Sequence, residues 1–194
     1  MYPDSRCSLE HENAFQLLVA TVLSAQCTDA RVNLVTPELF ARFPTPAALA
    51  DALQEELEEI IRTTGFFRSK TKSLLGLSAA LEDRFDGRVP SSVEELTSLP
   101  GVGRKTANVV LGVAYGIAEG VVVDTHVKRI AYRLGLTRQT DPEMVEQDLI
   151  ALLPEKERVV FTHRMIDHGR AICVARKPRC AECDLHDICP SSLV

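Results

Sequence analysis

The stretch Leu99–Asp124, LPGVGRKTANVVLGVAYGIAEGVVVD, decides how the rest of the chain is interpreted. Its first five residues predict a tight turn between two helices. Pro100 cannot continue the helix before it, and Gly101 and Gly103 permit positive φ and close approach of the backbone. A second helix is expected to begin near Arg104. Because the N–H groups of its first turn lack internal partners and the helix dipole adds positive charge, the turn is expected to suit a phosphate oxygen.

Two other interpretations of the turn compete. The phosphate-binding loop of nucleotide hydrolases requires a glycine directly before the lysine and a strand before the loop. Here Arg104 precedes Lys105 and residues Ser91–Ser98 are predicted to be helical, which rejects that interpretation. An ordinary turn with a solvated lysine stays possible on the turn alone. The working hypothesis is a helix-hairpin-helix motif whose Gly101, Gly103 and Arg104 contact a DNA backbone phosphate.

Lys105 and Asp124 form a candidate catalytic pair. A lysine amine attacks carbon only when neutral, and a helix start, a neighbouring cation and partial desolvation favour that form. It could then form a Schiff base with a carbonyl carbon, such as C1′ of an opened deoxyribose. Asp124 could accept a proton or offset positive charge on the sugar. Asp124 could also cap a helix beginning at Thr125. The residues alone slightly favour the cap, and the two roles are compatible.

Four cysteines near the end of the sequence form a candidate metal site. They follow the spacing C-x6-C-x2-C-x5-C, and they are Cys173, Cys180, Cys183 and Cys189. Four thiolates at close range can enclose one metal centre, but the spacing alone does not separate zinc from an iron–sulfur cluster. His186 lies within the cysteine segment as a possible spare ligand. Cys7 and Cys27 are expected to be free thiols packed as small apolar side chains.

Taken together, LPGVGRKTA, VDTH, the cysteine spacing and SAQCTD near the N-terminus resemble the endonuclease III family of base-excision repair, whose members are bifunctional DNA glycosylases and AP lyases. The resemblance runs along nearly the whole chain. It implies that Lys105 is the nucleophile, that Asp124 is the essential carboxylate and that the four cysteines bind a [4Fe–4S] cluster. Related adenine glycosylases carry serine at the lysine position, so the lysine favours lyase activity.

The same resemblance suggests further contacts with DNA. Gln26 would fill the gap left in the duplex when the damaged nucleotide turns out. Phe66 would wedge into the duplex, although a phenylalanine packed in the core is the more ordinary interpretation. The loop between the first two cluster cysteines would contact a second phosphate through Arg176, Lys177 and Arg179.

Composition limits the remaining possibilities. The chain has 194 residues, of which 45% are hydrophobic, and a formal net charge of −5. No apolar run approaches the roughly 20 residues of a membrane span, and no signal peptide opens the chain, so an intracellular (cytoplasmic) location is expected. The acidic total argues mildly against nucleic acid. However, residues 101–140 and 164–180 each carry an excess of lysine and arginine, which would bind phosphates if the two stretches share a face.

These observations predict an all-α fold of two helical domains with a DNA-binding cleft between them. Residues 7–117 would form a six-helix barrel ending in the hairpin motif at about 91–117, and residues 1–6 with 118–194 would form the cluster domain. The expected partner is double-stranded DNA bound by a monomer, without a membrane. The expected reaction removes oxidised or ring-saturated pyrimidines and nicks the abasic site. A monofunctional glycosylase, a non-catalytic DNA-binding module with a structural metal, and a relative with a changed substrate are the alternatives.

Overall fold

The computed structural model describes residues 1–194, and its regular secondary structure is entirely helical, which confirms the all-α prediction. Short 3₁₀ turns at Arg62–Thr64 and Cys180–Glu182 and a π-helical turn at Leu111–Tyr115 supplement the α-helices. The ten α-helices are α1 (Ala14–Leu23), α2 (Asp29–Arg42), α3 (Pro46–Ala50), α4 (Gln54–Ile61), α5 (Phe67–Phe85), α6 (Val93–Thr97), α7 (Arg104–Val110), α8 (Thr125–Arg133), α9 (Pro142–Leu152) and α10 (Glu155–Ala171).

The chain divides into two compact units. One unit is continuous and comprises Ser8–Ile117; the other combines Met1–Cys7 with Ala118–Val194. None of the helices has the length and apolar character that a membrane crossing requires.

Short polar side chains determine where several helices begin. Thr28, Thr45 and Asp141 each accept a hydrogen bond from a backbone N–H in the first turn of α2, α3 and α9, as their sequence positions predict. At α6, Ser92 Oγ accepts from Glu95 N at 3.2 Å and donates to the Glu95 carboxylate at 2.8 Å. Ser92 thus provides the N-cap of the helix that leads into the hairpin.

Helix α1 forms the centre of the continuous unit. Leu17, Leu18, Val19 and Leu23 are fully buried, because α2, α5 and α7 pack around the helix. Complete burial of each leucine contributes roughly 1.5–3 kcal/mol of transfer free energy. The nearly continuous apolar sequence of α1 is typical of such a buried helix, and α7, which follows the hairpin, packs directly against it.

The discontinuous unit has its own core. Val127 and Ile130 of α8, Leu149 of α9 and Met165 of α10 are buried together. Val121 lies in the same core at 1% exposure and belongs to a segment without helix or strand, as predicted. This segment leads the chain into Asp124 at the start of α8.

The hairpin follows its predicted residues but uses its two glycines differently. Gly101 has a φ of +76°, and a Cβ atom there would lie only 2.5 Å from Ser73 Cβ. Gly103 has a φ of −96° in an extended conformation, so the expectation of positive φ is wrong at this glycine. Leu99 and Val102 are buried, so they anchor the turn on both sides of Gly101. The helix after the hairpin runs to Tyr115, and its last turn, Leu111–Tyr115, widens into a π-helix.

Alanine substitutions at three glycines should separate backbone strain from steric clash. Gly65 has a φ of +71° and open space around it, so Gly65→Ala should cost about 1 kcal/mol of unfolding free energy through strain alone. Gly101→Ala should cost roughly 2–4 kcal/mol, because overpacking against Ser73 adds to the strain. Gly103→Ala should cost below about 1 kcal/mol. Urea unfolding of the three variants measures the differences, and an equal loss for all three would contradict this account.

Candidate functional site

Lys105 is the second residue of α7, where the helix leaves the hairpin. Lys105 is exposed, so the protein's own atoms do not give its amine the partial desolvation expected from the sequence. Gly103 caps the helix without any side-chain hydrogen bond, and a Cβ at this position would meet nothing within 4 Å. The start of α7 therefore has no side-chain cap, and N–H groups at a helix start favour an anion, here next to the lysine.

Asp124 caps α8, as one of the two interpretations predicts. Its Oδ1 accepts a hydrogen bond from Val127 N at 2.7 Å, and its backbone carbonyl accepts from Lys128 N at 2.9 Å. These bonds fix the carboxyl group on a rigid helix start while the residue stays partly exposed. The cap occupies Oδ1, and the second carboxylate oxygen is a further acceptor for chemistry. Asp124 belongs to the discontinuous unit and Lys105 to the continuous one.

Gln26 and Phe66 share an unusual backbone conformation in the continuous unit. Gln26, in the loop after α1, has a φ of +54°, and Phe66, directly before α5, has a φ of +49°. Both residues are exposed, and Phe66 is 67% exposed. The interpretation of Phe66 as a core residue is therefore wrong: the left-handed turn directs its ring to solvent, and α5 begins at Phe67 rather than near Lys70. Left-handed conformations of such residues are strained and concentrate at functional sites.

The four cysteines line one pocket in the discontinuous unit. Cys173, Cys180, Cys183 and Cys189 line a cavity of about 30 Å³, and His168 and His186 also line it. None of these cysteines forms a disulfide. The side chains surround this space rather than converge, and no group of three or more His, Cys, Asp or Glu is placed to bind one metal ion.

Hydrogen bonds and burial set the electrostatics of the cysteine pocket. Arg133 Nη1 lies 3.2 Å from Cys173 Sγ, and His168 Nε2 lies 3.7 Å from Cys183 Sγ. Burial lowers the pKa of His168, which favours the neutral imidazole, and burial raises the pKa of the Cys183 thiol. His186 also lines the pocket, and both its ring nitrogens have partners: Nδ1 lies 2.7 Å from the Cys183 carbonyl oxygen and Nε2 lies 3.1 Å from Asp187 Oδ1.

Two arginines that the sequence analysis counts toward a DNA surface instead bind the cysteine segment. Arg129 donates to the carbonyls of Cys173 and Gly169 at 3.0 and 3.1 Å. Arg133, one turn later on α8, donates to the carbonyls of Val174 and Ala175 at 2.9 and 3.0 Å. Sequence reasoning missed this function. The spacing of four residues, which places both side chains on one face of the helix, was the available signal.

The predicted phosphate-binding residues of the cysteine loop differ in their availability. Arg176 and Lys177 are exposed, and Lys177 has a φ of +54°. Arg179 is engaged within the loop, because its guanidinium donates to the Ala171 carbonyl and lies 3.2 Å from the Glu182 carboxylate. Among these three residues, Arg176 and Lys177 are therefore better placed for an external partner.

The chain is similar to known repair proteins over almost its full length. The family model described as HhH-GPD superfamily base excision DNA repair protein matches residues 19–155. Endonuclease III of Synechocystis is 55% identical over 192 residues, covering 99% of this chain and 88% of the relative. Endonuclease III of Bacillus subtilis is 45% identical, covering 97% of this chain and 86% of the relative.

Solved structures show the same fold. A non-covalent endonuclease III–DNA complex aligns with a TM-score of 0.94 at 46% identity, covering 98% of this chain and 89% of that one. A trapped endonuclease III–DNA covalent intermediate aligns with the same TM-score and identity, covering 98% of this chain and 90% of that one. The motif matches, the family model and the full-length similarity agree, and the chain belongs to the endonuclease III family within the HhH-GPD superfamily.

Proposed function

We propose that this protein is a base-excision-repair DNA glycosylase with AP lyase activity, acting on double-stranded DNA. The observation that carries the proposal is Lys105: it is the lysine of the LPGVGRKTA motif, exposed on the first turn of α7. A covalent protein–DNA intermediate has been trapped for a protein 46% identical to this chain. Such an intermediate requires a nucleophile, and an accessible lysine amine is a suitable one.

The protein would bind the phosphate backbone of the DNA before any chemistry occurs. The open N–H groups after Gly103 and the side chain of Arg104 would contact one phosphate, while Arg176 and Lys177 would contact another. Gln26 and Phe66 would enter the duplex and fill the space left by the extruded nucleotide. Their exposure and their fixed left-handed backbones support this role.

The reaction follows from the chemistry of an amine at the anomeric carbon. Neutral Lys105 Nζ attacks C1′, and the bond from C1′ to the base breaks so that the base leaves with the bonding electrons. The lysine nitrogen then releases a proton, its lone pair forms the C1′–Nζ Schiff base as the C1′–O4′ bond breaks, and O4′ takes up the proton. Loss of a proton from C2′ then expels the 3′ phosphate, and water releases the lysine. Bound DNA would exclude water from the exposed amine, and Asp124 would accept a proton or balance the positive charge on the sugar.

The cysteine pocket supports a polynuclear metal centre. We infer that Cys173, Cys180, Cys183 and Cys189 would bind a [4Fe–4S] cluster, because four thiols lining a common space match the four thiolates such a cluster requires. Bound there, the cluster would supply structure, since it would fix the loop that Arg129 and Arg133 already hold through its carbonyls. The chemistry at C1′ does not require it.

The substrate class that we propose is oxidised or ring-saturated pyrimidine in duplex DNA. The monofunctional and non-catalytic alternatives are not favoured, because neither needs a lysine at position 105.

Lys105→Ala should abolish covalent trapping on DNA. With a duplex carrying one abasic site, borohydride should give an adduct with the wild type and at least about a hundredfold less with the variant, since the nucleophile is lost. Lys156 is a matched control, because it is also the exposed second residue of a helix, α10. Lys156→Ala should trap like the wild type. A second duplex with one oxidised pyrimidine tests the glycosylase step, and an undiminished adduct with Lys105→Ala would contradict the assignment.

Asp124 can be tested by separating its cap from its chemistry. Asparagine caps helices as well as aspartate does, so Asp124→Asn should keep the melting temperature and slow strand nicking by roughly 10²-fold. Asp124→Ala should slow nicking to the same extent and also lose about 1 kcal/mol of stability. Thermal unfolding and single-turnover nicking provide the two readouts. Full activity of Asp124→Asn would leave Asp124 as a cap only.

The metal centre can be identified by elemental analysis. The protein purified under anaerobic conditions should contain about four irons with matching sulfide per chain, whereas a zinc site would contain one zinc. Cys183→Ser should lose the iron, and Cys27→Ser, which lies outside the pocket, should retain it. Trypsin should then cleave the Val174–Arg179 loop faster in Cys183→Ser than in Cys27→Ser. Equal iron in both variants would reject the pocket as the site.

A further inference from the structure

Lys70 is a charged side chain inside the core of the continuous unit. The residue is 6% exposed, and its Nζ donates to the carbonyl oxygens of Leu23 and Thr64, each at 2.8 Å. Lysine is almost never buried unless its ammonium is paired, so these two bonds explain how the position tolerates the charge. The sequence analysis assigned Lys70 no function.

The two carbonyls lie at the C-terminal ends of helical segments, where a cation is stabilising. Leu23 is the last residue of α1, and Thr64 is the last residue of the 3₁₀ turn Arg62–Thr64. Terminal carbonyls lack helical partners and carry the negative end of the helix dipole. Burial lowers the pKa of Lys70, and the electrostatic effect of nearby Cys27 opposes that shift.

Each of these carbonyls lies two or three residues before a candidate DNA-inserting residue. Leu23 precedes Gln26 by three residues, and Thr64 precedes Phe66 by two. Both Gln26 and Phe66 are exposed and left-handed, a conformation that persists only where the surroundings determine it. One ammonium group therefore links the starts of the two loops that carry Gln26 and Phe66.

We propose that Lys70 is a positioning residue that fixes the spacing of the Gln26 and Phe66 loops, so that both side chains enter the duplex together. Lys70 acts through the two carbonyls and does not touch DNA. The inference rests on the proposed function, because it takes Gln26 and Phe66 as the inserting residues.

Fluorescence of a base opposite the abasic position tests insertion directly. The full-length protein is mixed with a duplex that carries 2-aminopurine opposite a tetrahydrofuran abasic-site analogue, which the enzyme cannot cleave. Insertion unstacks the 2-aminopurine and raises its fluorescence in the wild type. Lys70→Met removes the donors at similar length. The population of protein that gives the rise should fall at least about tenfold, since the loss of even one hydrogen bond from a charged group has an effect of this size. The dissociation constant measured by anisotropy should change much less.

Two control variants separate positioning from general effects. Lys72→Met removes an exposed lysine from the same helix, α5, and should keep the rise. Leu49→Ala truncates a fully buried leucine of α3, which packs on α5, and tests whether lower stability alone removes the signal. It should also keep the rise at temperatures where it is folded. Loss of the rise in Leu49→Ala to the same extent as in Lys70→Met would overturn the proposal.

A double-mutant cycle adds a readout that a purely structural lysine would not change. Nicking rates are measured for Phe66→Ala and Gln26→Ala with Lys70 present and with Lys70→Met. If Lys70 positions both loops, each alanine substitution should have almost no further effect in the Lys70→Met background. Additive effects would overturn the proposal.

Where Lys70→Met does not fold, Lys70→Arg replaces it. The guanidinium keeps the charge and should preserve part of the fluorescence rise. A folded Lys70→Arg protein without any rise would overturn the proposal.

The outcome for the wild type distinguishes the two proposals. Wild-type protein that gives neither a fluorescence rise nor a borohydride adduct contradicts the proposed function. Wild-type protein that gives both, with an unchanged rise in Lys70→Met, contradicts only the positioning by Lys70.

Discussion

The ends of α-helices leave backbone N–H and carbonyl groups without helical partners, and the continuous unit depends on how these groups are satisfied. At the C-terminal end of α1, a buried ammonium pairs the Leu23 carbonyl. At the start of α7, by contrast, Gly103 provides no side-chain cap and leaves open space beside Lys105. A paired end makes a loop rigid, and an open end can accept a ligand. The two kinds of helix end thus separate the parts of this unit that hold their shape from the part that binds.

In the discontinuous unit, charged side chains also pair with backbone carbonyls. Arg129 and Arg133 direct their guanidinium groups to carbonyls of the cysteine segment, so most of their hydrogen-bonding capacity is used inside the unit. Asp124, at the opposite end of α8, caps the same helix. Helix α8 therefore orients a carboxylate at its start and the loop of the cysteine pocket along its side. A substitution that shifts this helix would disturb both features.

The sequence predicts much of the fold because the signals are local. Capping residues such as Thr45 and Ser92 and the apolar run of α1 act within a few residues, so their patterns can be interpreted without the structure. Phe66 was harder, since its exposure depends on a left-handed turn that no residue type at that position requires. The arginines of α8 were also misinterpreted, because their partners lie about 40 residues further along the chain. The roles of Lys105 and Asp124 came from motif resemblance and stay predictions.

The discontinuous unit has a consequence for the order in which the chain folds during synthesis. Residues 8–117 form a continuous unit and can fold as soon as they have left the ribosome. The other unit includes Met1–Cys7, and Ser5 bonds to Asp167 across most of the chain length. Residues 1–7 must therefore wait for the much later residues near Asp167 before this unit is complete. A fusion partner attached at the N-terminus would be carried by the unit that contains Asp124 and the cysteine pocket.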